Sequence, residues 1–283
     1  MKHSTVLHTI FRLWSLTIPV ATVAVADTGD TSPIWELGIG IGGLSLPDYR
    51  GSDHRENYLL PFPYIRYRGK RLRIDEDGAR SLLFTTPRAR LDISLAAGLP
   101  VSADNNPART GMPDLDPTVE VGPALEMQLT NPGERRDSWW LKLPVRAVLS
   151  VDGLDTDHQG RVFAPYVEYS SLMDNDALTG RSRLGIAAGP LYANRAYHDY
   201  YYRVAPGFAT TQRPAFETSG GYSGSRITLT WNRRRGAWWY GWFARYDNLS
   251  GSVFEDSPLV KDRHFFALGF ALARVVSTGN ATQ

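Results

Sequence analysis

Alternation of apolar and polar residues is the dominant pattern along this chain, and it is clearest at residues 139–152. The odd positions from Trp139 to Val151 are all apolar, whereas Lys142 and Arg146 lie among the even positions. Successive side chains of a strand point to opposite faces, so this segment has one apolar face and one charged face. The run is about twice the usual strand length of soluble proteins. It is typical of the wall of a membrane β-barrel with a wet interior.

The same alternation recurs along most of the chain and predicts about twelve antiparallel strands, with ten as the lower count. The predicted strands are 35–46, 58–68, 71–75, 80–85, 89–99, 118–130, 138–151, 161–171, 181–192, 223–233, 237–250 and 264–275. With an even number of strands, the long connections all fall at the end opposite the chain termini. These connections are 47–57, 100–117, 152–160, 193–222 and 251–263. Outer-membrane barrels have short periplasmic turns and longer external loops, so this end is predicted to be external.

The N-terminal segment predicts export. Residues 1–26 combine two basic residues with an apolar stretch and end in Ala-Val-Ala, which fits a secretory signal peptide cleaved near Ala26. The apolar stretch is shorter than the roughly 20 residues of a spanning helix, which disfavours an uncleaved anchor. We therefore expect a signal peptide at 1–26, a β-barrel at 27–276 and a short tail at 277–283.

Composition narrows the function classes. The chain has no cysteine, which excludes thiolate metal sites, thiol catalysis and disulfides, and its net charge of +2 does not indicate a nucleic-acid partner. Four tryptophans are predicted to form an aromatic girdle at the periplasmic rim: Trp35, Trp139, Trp231 and Trp238. A large soluble β-protein would explain the alternation, but it would not explain the signal peptide, the loop asymmetry and these tryptophans together.

Charged residues recur on the polar faces of the predicted strands. Those expected to face the lumen are Glu36, Glu120, Glu126, Lys142, Arg146, Arg226 and Arg245. Opposite charges on neighbouring strands can pair, and about twelve strands enclose only a narrow space. This favours a salt-bridged interior over a selective channel, and both remain open. Arginines in the turns 131–137 and 232–236 face the periplasm in this arrangement, where lipid head groups or a partner are within reach.

Three histidines next to aspartates raise the possibility of an enzyme. His54, His158 and His198 all lie in predicted loops, where hydrolytic outer-membrane barrels carry their active sites. The chain has no Gly-x-Ser-x-Gly or His-Glu-x-x-His sequence, and the histidine spacing matches no compact metal site. We expect no catalytic residue, no metal and no cofactor.

Three segments carry a family resemblance. Leu46-Pro47-Asp48-Tyr49-Arg50-Gly51-Ser52-Asp53 is followed by the Pro-rich segment 61–67, and a Tyr-rich segment lies at 197–204. The third segment is Arg245-Tyr246-Asp247-Asn248-Leu249-Ser250-Gly251-Ser252, followed by 256–260. In this order they resemble the signatures of the MipA/OmpV family of outer-membrane proteins. The C-terminus departs from barrels of this class, which usually end on an aromatic residue.

The residues themselves suggest a structural role for the first signature. Pro47 and Gly51 suit a turn, and Asp48 and Ser52 can hydrogen-bond nearby backbone. A ligand or partner contact at the outer mouth, involving Tyr49 as well, is the alternative.

The resemblance implies a non-enzymatic protein of the Gram-negative cell envelope. In the best-known member, the implied role is a scaffold that links a lytic murein transglycosylase to a bifunctional penicillin-binding protein. Other relatives resemble general surface or adhesion proteins. A small pore is the alternative, and a hydrolase with His and Asp in its external loops is a further one. Outer-membrane lipid is the expected surrounding.

Overall fold

The computed structural model describes residues 33–69, 72–75, 78–81, 83–131, 136–174 and 181–279. Within these ranges the chain forms one antiparallel sheet of fourteen strand segments. The strands are β1 (Trp35–Pro47), β2 (Arg55–Arg68), β3 (Leu72–Asp75), β4 (Gly78–Ser81), β5 (Phe84–Thr85), β6 (Ala89–Gly98), β7 (Thr118–Gln128), β8 (Asp137–Asp152), β9 (Asp155–Phe163), β10 (Tyr166–Asp174), β11 (Arg181–Ala193), β12 (Gly221–Arg235), β13 (Trp238–Asn248) and β14 (His264–Gly279). The predicted signal peptide lies outside the described residues.

The first and last strands pair, which closes the sheet between the chain termini. Trp35 of β1 is opposite Gly279 of β14, and the pairing continues to Ser45 opposite Leu268. Elsewhere most strands that pair in the sheet are consecutive in the chain. The two edges of the ladder, at β4 and at β5–β6, lie beside each other because β4 contacts β6. The result is an up-and-down β-barrel.

The predicted count of about twelve strands is confirmed. β9 and β10 together occupy one position in the wall, because both lie between β8 and β11 and are separated only by Ala164 and Pro165. Proline has no backbone N–H and interrupts the ladder at this point. β4 and β5 together occupy the single predicted strand 80–85.

The faces of the barrel are inverted relative to a soluble protein. In β1 the odd positions Leu37, Ile39 and Ile41 are exposed on the outer surface, and Ile39 keeps 70% of its accessible area. The intervening positions are glycines on the inner face, and Glu36 at the start of the strand is buried. In β8 Val145 is likewise exposed. The sheet therefore presents an apolar band to its surroundings and encloses charged groups.

Two predicted loops and the predicted tail are wrong because the strands are longer than expected. Residues 155–160 belong to β9, so that Gly153 and Leu154 alone join β8 to β9. Gly153 adopts a φ of +62°, which glycine permits in a tight hairpin. The arginine-rich segment 233–235 completes β12 rather than forming a turn. β14 runs to Gly279, past the predicted barrel end at 276, because residues 277–279 pair with β1.

Four connections pack against one another at one end of the barrel; we call them the outer cap, residues 48–54, 99–117, 194–220 and 249–263. Their apolar contacts form one cluster with the adjoining strand end. Its buried members are Tyr49, Val101, Ala108, Leu115, Tyr202, Val204, Leu249, Phe254, Leu259 and Phe265. The ends of the described chain and the turns 86–88 and 236–237 lie at the opposite end, whereas the two-residue turn between β8 and β9 lies at the cap end.

A short helix, α1 (Arg195–Tyr202), lies in the third cap segment. The side-chain oxygen of Asn194 accepts a hydrogen bond from the Tyr197 N–H at 3.3 Å, a typical N-cap, and another from the Arg161 N–H of β9 at 2.9 Å. The same amide therefore begins the helix and ties it to the wall. Within the described ranges, no helix is both long and apolar enough to span a membrane.

Candidate functional site: the outer cap and the charged interior

The first signature loop is held by hydrogen bonds to a distant cap segment. Asp48 Oδ2 lies 3.0 Å from His54 Nδ1 and accepts from Asn106 Nδ2 at 2.7 Å. Asn106 Nδ2 also donates to Ser52 Oγ at 3.1 Å. Gly51 has a φ of +94°, a left-handed conformation that glycine adopts without strain. The polar residues of this loop therefore bind one another and Asn106.

Tyr49 connects the same loop to the last cap segment. Its hydroxyl donates to the Leu259 carbonyl at 2.8 Å, and the Arg109 guanidinium lies 5.8 Å from its ring centre. Burial raises the pKa of Tyr49 well above its usual value, so the hydroxyl remains a donor. Pro47, the remaining member of the predicted motif, ends β1 opposite Arg55.

All three signature segments meet in the cap. Tyr202 of the Tyr-rich segment donates from its hydroxyl to the Arg50 carbonyl at 2.9 Å, and its ring stacks on Phe254 at 3.8 Å between centres. Ser257 Oγ donates to the Tyr202 carbonyl at 2.7 Å, and the Gly51 carbonyl accepts from the Lys261 N–H at 2.7 Å. Segments about 200 residues apart in sequence thus form one packed unit over the end of the barrel.

The three histidines lie in different places. His198 of α1 is buried; its Nδ1 is 2.6 Å from the Ser219 carbonyl and its Nε2 contacts Ser223 Oγ. A carbonyl only accepts, so Nδ1 carries the proton and Nε2 accepts from the serine. Burial lowers the pKa of His198 and favours this neutral form.

His54 lies in the first signature loop. His158 is exposed on β9 rather than in a loop, because β9 begins at Asp155, three residues before this histidine. Within the described residues, no group of three or more His, Asp or Glu side chains is arranged to hold a metal ion.

Ion pairs cross the inner face of one side of the barrel, formed by β6 to β8 and β10. Lys142 Nζ lies 2.9 Å from Glu168 Oε2, and both side chains are at most 1% exposed. Arg146 Nε donates to Glu120 Oε2 at 2.8 Å. The structure places the predicted Glu126 beside Arg90 in the same way. We call this side the charged half.

Two further groups of charges lie at the two ends of β12. Near the chain termini, the predicted Glu36 pairs with Arg234 and lies 3.5 Å from Arg68. Under the cap, the predicted Arg226 and Arg245 share the carboxylate of Asp247 with Arg50.

Between these two groups of charges, apolar and aromatic side chains cover the inner face of the opposite side, formed by β13, β14, β1 and β2. The Phe62 ring lies over Gly40, and the Phe243 ring lies over Gly269. Tyr64 and Trp239 pack at 5.7 Å between ring centres. We call this side the apolar half.

The predicted girdle tryptophans occupy two levels. Trp35 lies over Gly279 at the closing seam, and Trp139 and Trp238 lie within the first three residues of their strands. Trp231 lies higher, opposite Trp242, because β12 continues for four residues beyond it.

Sequence reasoning did not select several of the residues that complete these clusters. Glu168 occupies a polar face of a predicted strand, and the alternation offered a signal for it. Arg50 and Asn106 lie in loops, where no periodicity indicates which side chains meet. Their partners are 197 and 58 residues away, respectively.

An apolar outer surface around a charged interior, with short turns at one end and a packed cap at the other, defines an outer-membrane β-barrel protein. The family model described as MltA-interacting protein MipA matches residues 39–276. The chain belongs to this family, and the predicted family is confirmed.

The chain is similar to several solved structures at low sequence identity. A bacterial polysaccharide outer membrane secretin is 8% identical, with a TM-score of 0.41, and the alignment covers 88% of this chain and 100% of that one. A Pseudomonas putida F1 outer membrane channel is 12% identical, with a TM-score of 0.38 and coverages of 89% and 100%. A Pseudomonas aeruginosa FadL homologue is 10% identical, with a TM-score of 0.34 and coverages of 89% and 74%. A comparison with curated proteins found no match.

Proposed function

We propose that this protein is a non-enzymatic scaffold of the outer membrane that binds murein-processing enzymes at its periplasmic end. The family description names an interaction with MltA, and the family resemblance makes that partner a lytic murein transglycosylase, with a penicillin-binding protein as the second partner.

The observation that carries the proposal is the use of all three signature segments to close the external end. Tyr49, Tyr202 and Leu259 are buried in one cluster there, and ion pairs such as Lys142–Glu168 cross the interior below it. A barrel closed in this way offers a poor route for solutes. Its construction suits a rigid anchor better than a pore.

The histidine contacts support a non-enzymatic role. Both ring nitrogens of His198 are engaged, one by Ser219 of the cap and the other by Ser223 of β12, and Asp48 engages His54. A general base needs a ring nitrogen that reaches the substrate. We therefore expect no hydrolytic activity from the purified protein.

The partner surface in this proposal is the periplasmic rim. Arg88 in the turn before β6 and Arg235 at the end of β12 are exposed there. Exposed arginines at a rim change association rates and specificity when they meet an acidic surface.

The test is binding of a purified lytic transglycosylase and a bifunctional penicillin-binding protein to the folded barrel in detergent. The Arg88→Glu, Arg235→Glu double variant should weaken binding, whereas Lys261→Glu, at the opposite end, should not. Absence of binding to either enzyme contradicts the scaffold. Steady conductance of the folded protein in planar bilayers supports a pore instead.

Export completes the proposal. The chain reaches the outer membrane after cleavage of residues 1–26, and N-terminal sequencing of the protein from envelope fractions should begin at Asp27. A protein that retains Met1 or begins elsewhere contradicts this cleavage site.

A further inference from the structure

Four charged side chains meet in the interior directly below the cap, and their charges do not balance. Asp247 Oδ1 accepts from the Nε groups of Arg50 and Arg226, each at 3.0 Å. Its Oδ2 lies 2.9 Å from Nε of Arg245. One carboxylate thus serves three guanidinium groups, which leaves a surplus of two positive charges. Among the described side chains, no other carboxylate contacts these arginines.

The surplus positive charge destabilises the folded protein because none of the three arginines can lose its proton. Arginine stays protonated inside proteins, and a charge removed from water requires a partner. Two of the Arg50 guanidinium nitrogens, Nη1 and Nη2, are buried without a hydrogen-bond partner among the described residues. In the pair Lys142–Glu168, deeper in the same barrel, one carboxylate meets one cation at 2.9 Å. The cluster below the cap therefore holds less negative charge than positive charge.

The surplus charge is also accessible from the interior. The Arg226 and Arg245 side chains are 26% and 18% exposed, whereas Asp247 is fully buried. Arg245 faces Asp247 through its Nε edge, and Arg226 through Nε and Nη2. Three guanidinium nitrogens, Nη1 of Arg226 and both Nη atoms of Arg245, have no partner within the described residues.

We propose that this cluster is an anion site, in which a small oxyanion of the carboxylate or phosphate class bridges Arg226 and Arg245. Planar guanidinium groups bind both kinds of oxyanion through paired N–H donors. The bound anion balances the charge that Asp247 leaves uncompensated. Because Arg50 belongs to the first signature loop and Arg245 to the third signature, an occupied site also fastens the cap to the wall.

The experiment measures anion binding to the folded barrel in a non-ionic detergent by calorimetry and by thermal unfolding. Inorganic phosphate and acetate are titrated separately against chloride at constant ionic strength, which distinguishes the two oxyanion chemistries. We expect saturable binding of at least one of them and a higher unfolding temperature. Arg226→Gln and Arg245→Gln should each weaken binding about tenfold or more, the loss of one charge-assisted contact. Arg263→Gln, on the exposed cap surface, is the matched control and should bind like the parent.

A second variant keeps the test decisive if the arginine variants fold poorly. Asp247→Asn removes the internal carboxylate, so an added oxyanion has three arginines to itself. We expect tighter phosphate or acetate binding and a refolding yield that rises with that anion.

Three results overturn the site. The first is the absence of saturable binding to the parent protein. The second is unchanged binding in both Arg226→Gln and Arg245→Gln. The third is an unfolding temperature that follows ionic strength rather than the identity of the anion.

Discussion

The charged half and the apolar half of the interior fill the same barrel in different ways. In the charged half, paired side chains such as Lys142 and Glu168 reach across between strands. In the apolar half, aromatic rings lie flat against glycines, as Phe62 does over Gly40. One half is held by ion pairs between neighbouring strands, and the other by close contact between rings and backbone. The two halves should therefore fail differently when a single side chain is changed.

The largest expected effect is in the charged half. Lys142→Ala leaves Glu168 buried without its partner, which should cost about 3–5 kcal/mol of the free energy of unfolding. Urea unfolding in lipid vesicles measures this loss. The Lys142→Met, Glu168→Leu double variant removes both charges and should recover most of the stability. A double variant as unstable as the single one would contradict the view that the loss comes from the unpaired charge.

The apolar half should respond to added volume. A Cβ at Gly40 would lie 2.6 Å from the Phe62 ring and 2.7 Å from the Leu272 carbonyl, so Gly40→Ala should cost about 1–3 kcal/mol. Gly42→Ala is the matched control, because its Cβ would meet nothing closer than 3.4 Å. Equal unfolding midpoints for the two variants would contradict the close packing described for this half.

A variant in the cap tests whether the cap can loosen while both halves of the barrel stay folded. Tyr202→Phe removes the hydroxyl that donates to the Arg50 carbonyl and keeps the ring stacked on Phe254. We expect a loss of about 1 kcal/mol. Limited proteolysis of intact barrels should detect faster cleavage within 194–220. Unheated samples should still migrate on SDS gels as the folded barrel. Cleavage at the parent rate would argue against a role of this hydrogen bond in holding the cap.

The smallest expected effect depends on pH. The pKa of His198 is lowered in the folded protein, so the unfolded chain binds the proton more readily. Its contribution to stability is therefore complete above the unfolded pKa of about 6.5 and is lost as the pH falls below it, by at most about 1.4 kcal/mol per pH unit. Unfolding midpoints at pH 7.5 and 5.5 measure this. His198→Gln should flatten the dependence, whereas His158→Gln, on the exposed strand, should not.

The strand pattern could be predicted because a membrane wall imposes one rule on every strand. The alternation around Lys142 predicted which face is inward, and the register confirms that Lys142 and Glu168 lie on neighbouring strands. The cap could not be predicted in this way. Its contacts join loops that have no period, and α1, with eight residues, is too short to show a helical stripe. The sharing of Asp247 by Arg50 depends on a loop folding back over the barrel.

The hairpin between β8 and β9 has a practical consequence. Leu154 at its tip is completely exposed. A Cβ added at Gly153 beside it would have no neighbouring atom within 4 Å. The turn stands clear of the cap, so a foreign sequence inserted there would leave the signature contacts intact. A short epitope between Gly153 and Leu154 would be stained by antibody on living, unpermeabilised cells. The same turn would serve to display peptides on the bacterial surface.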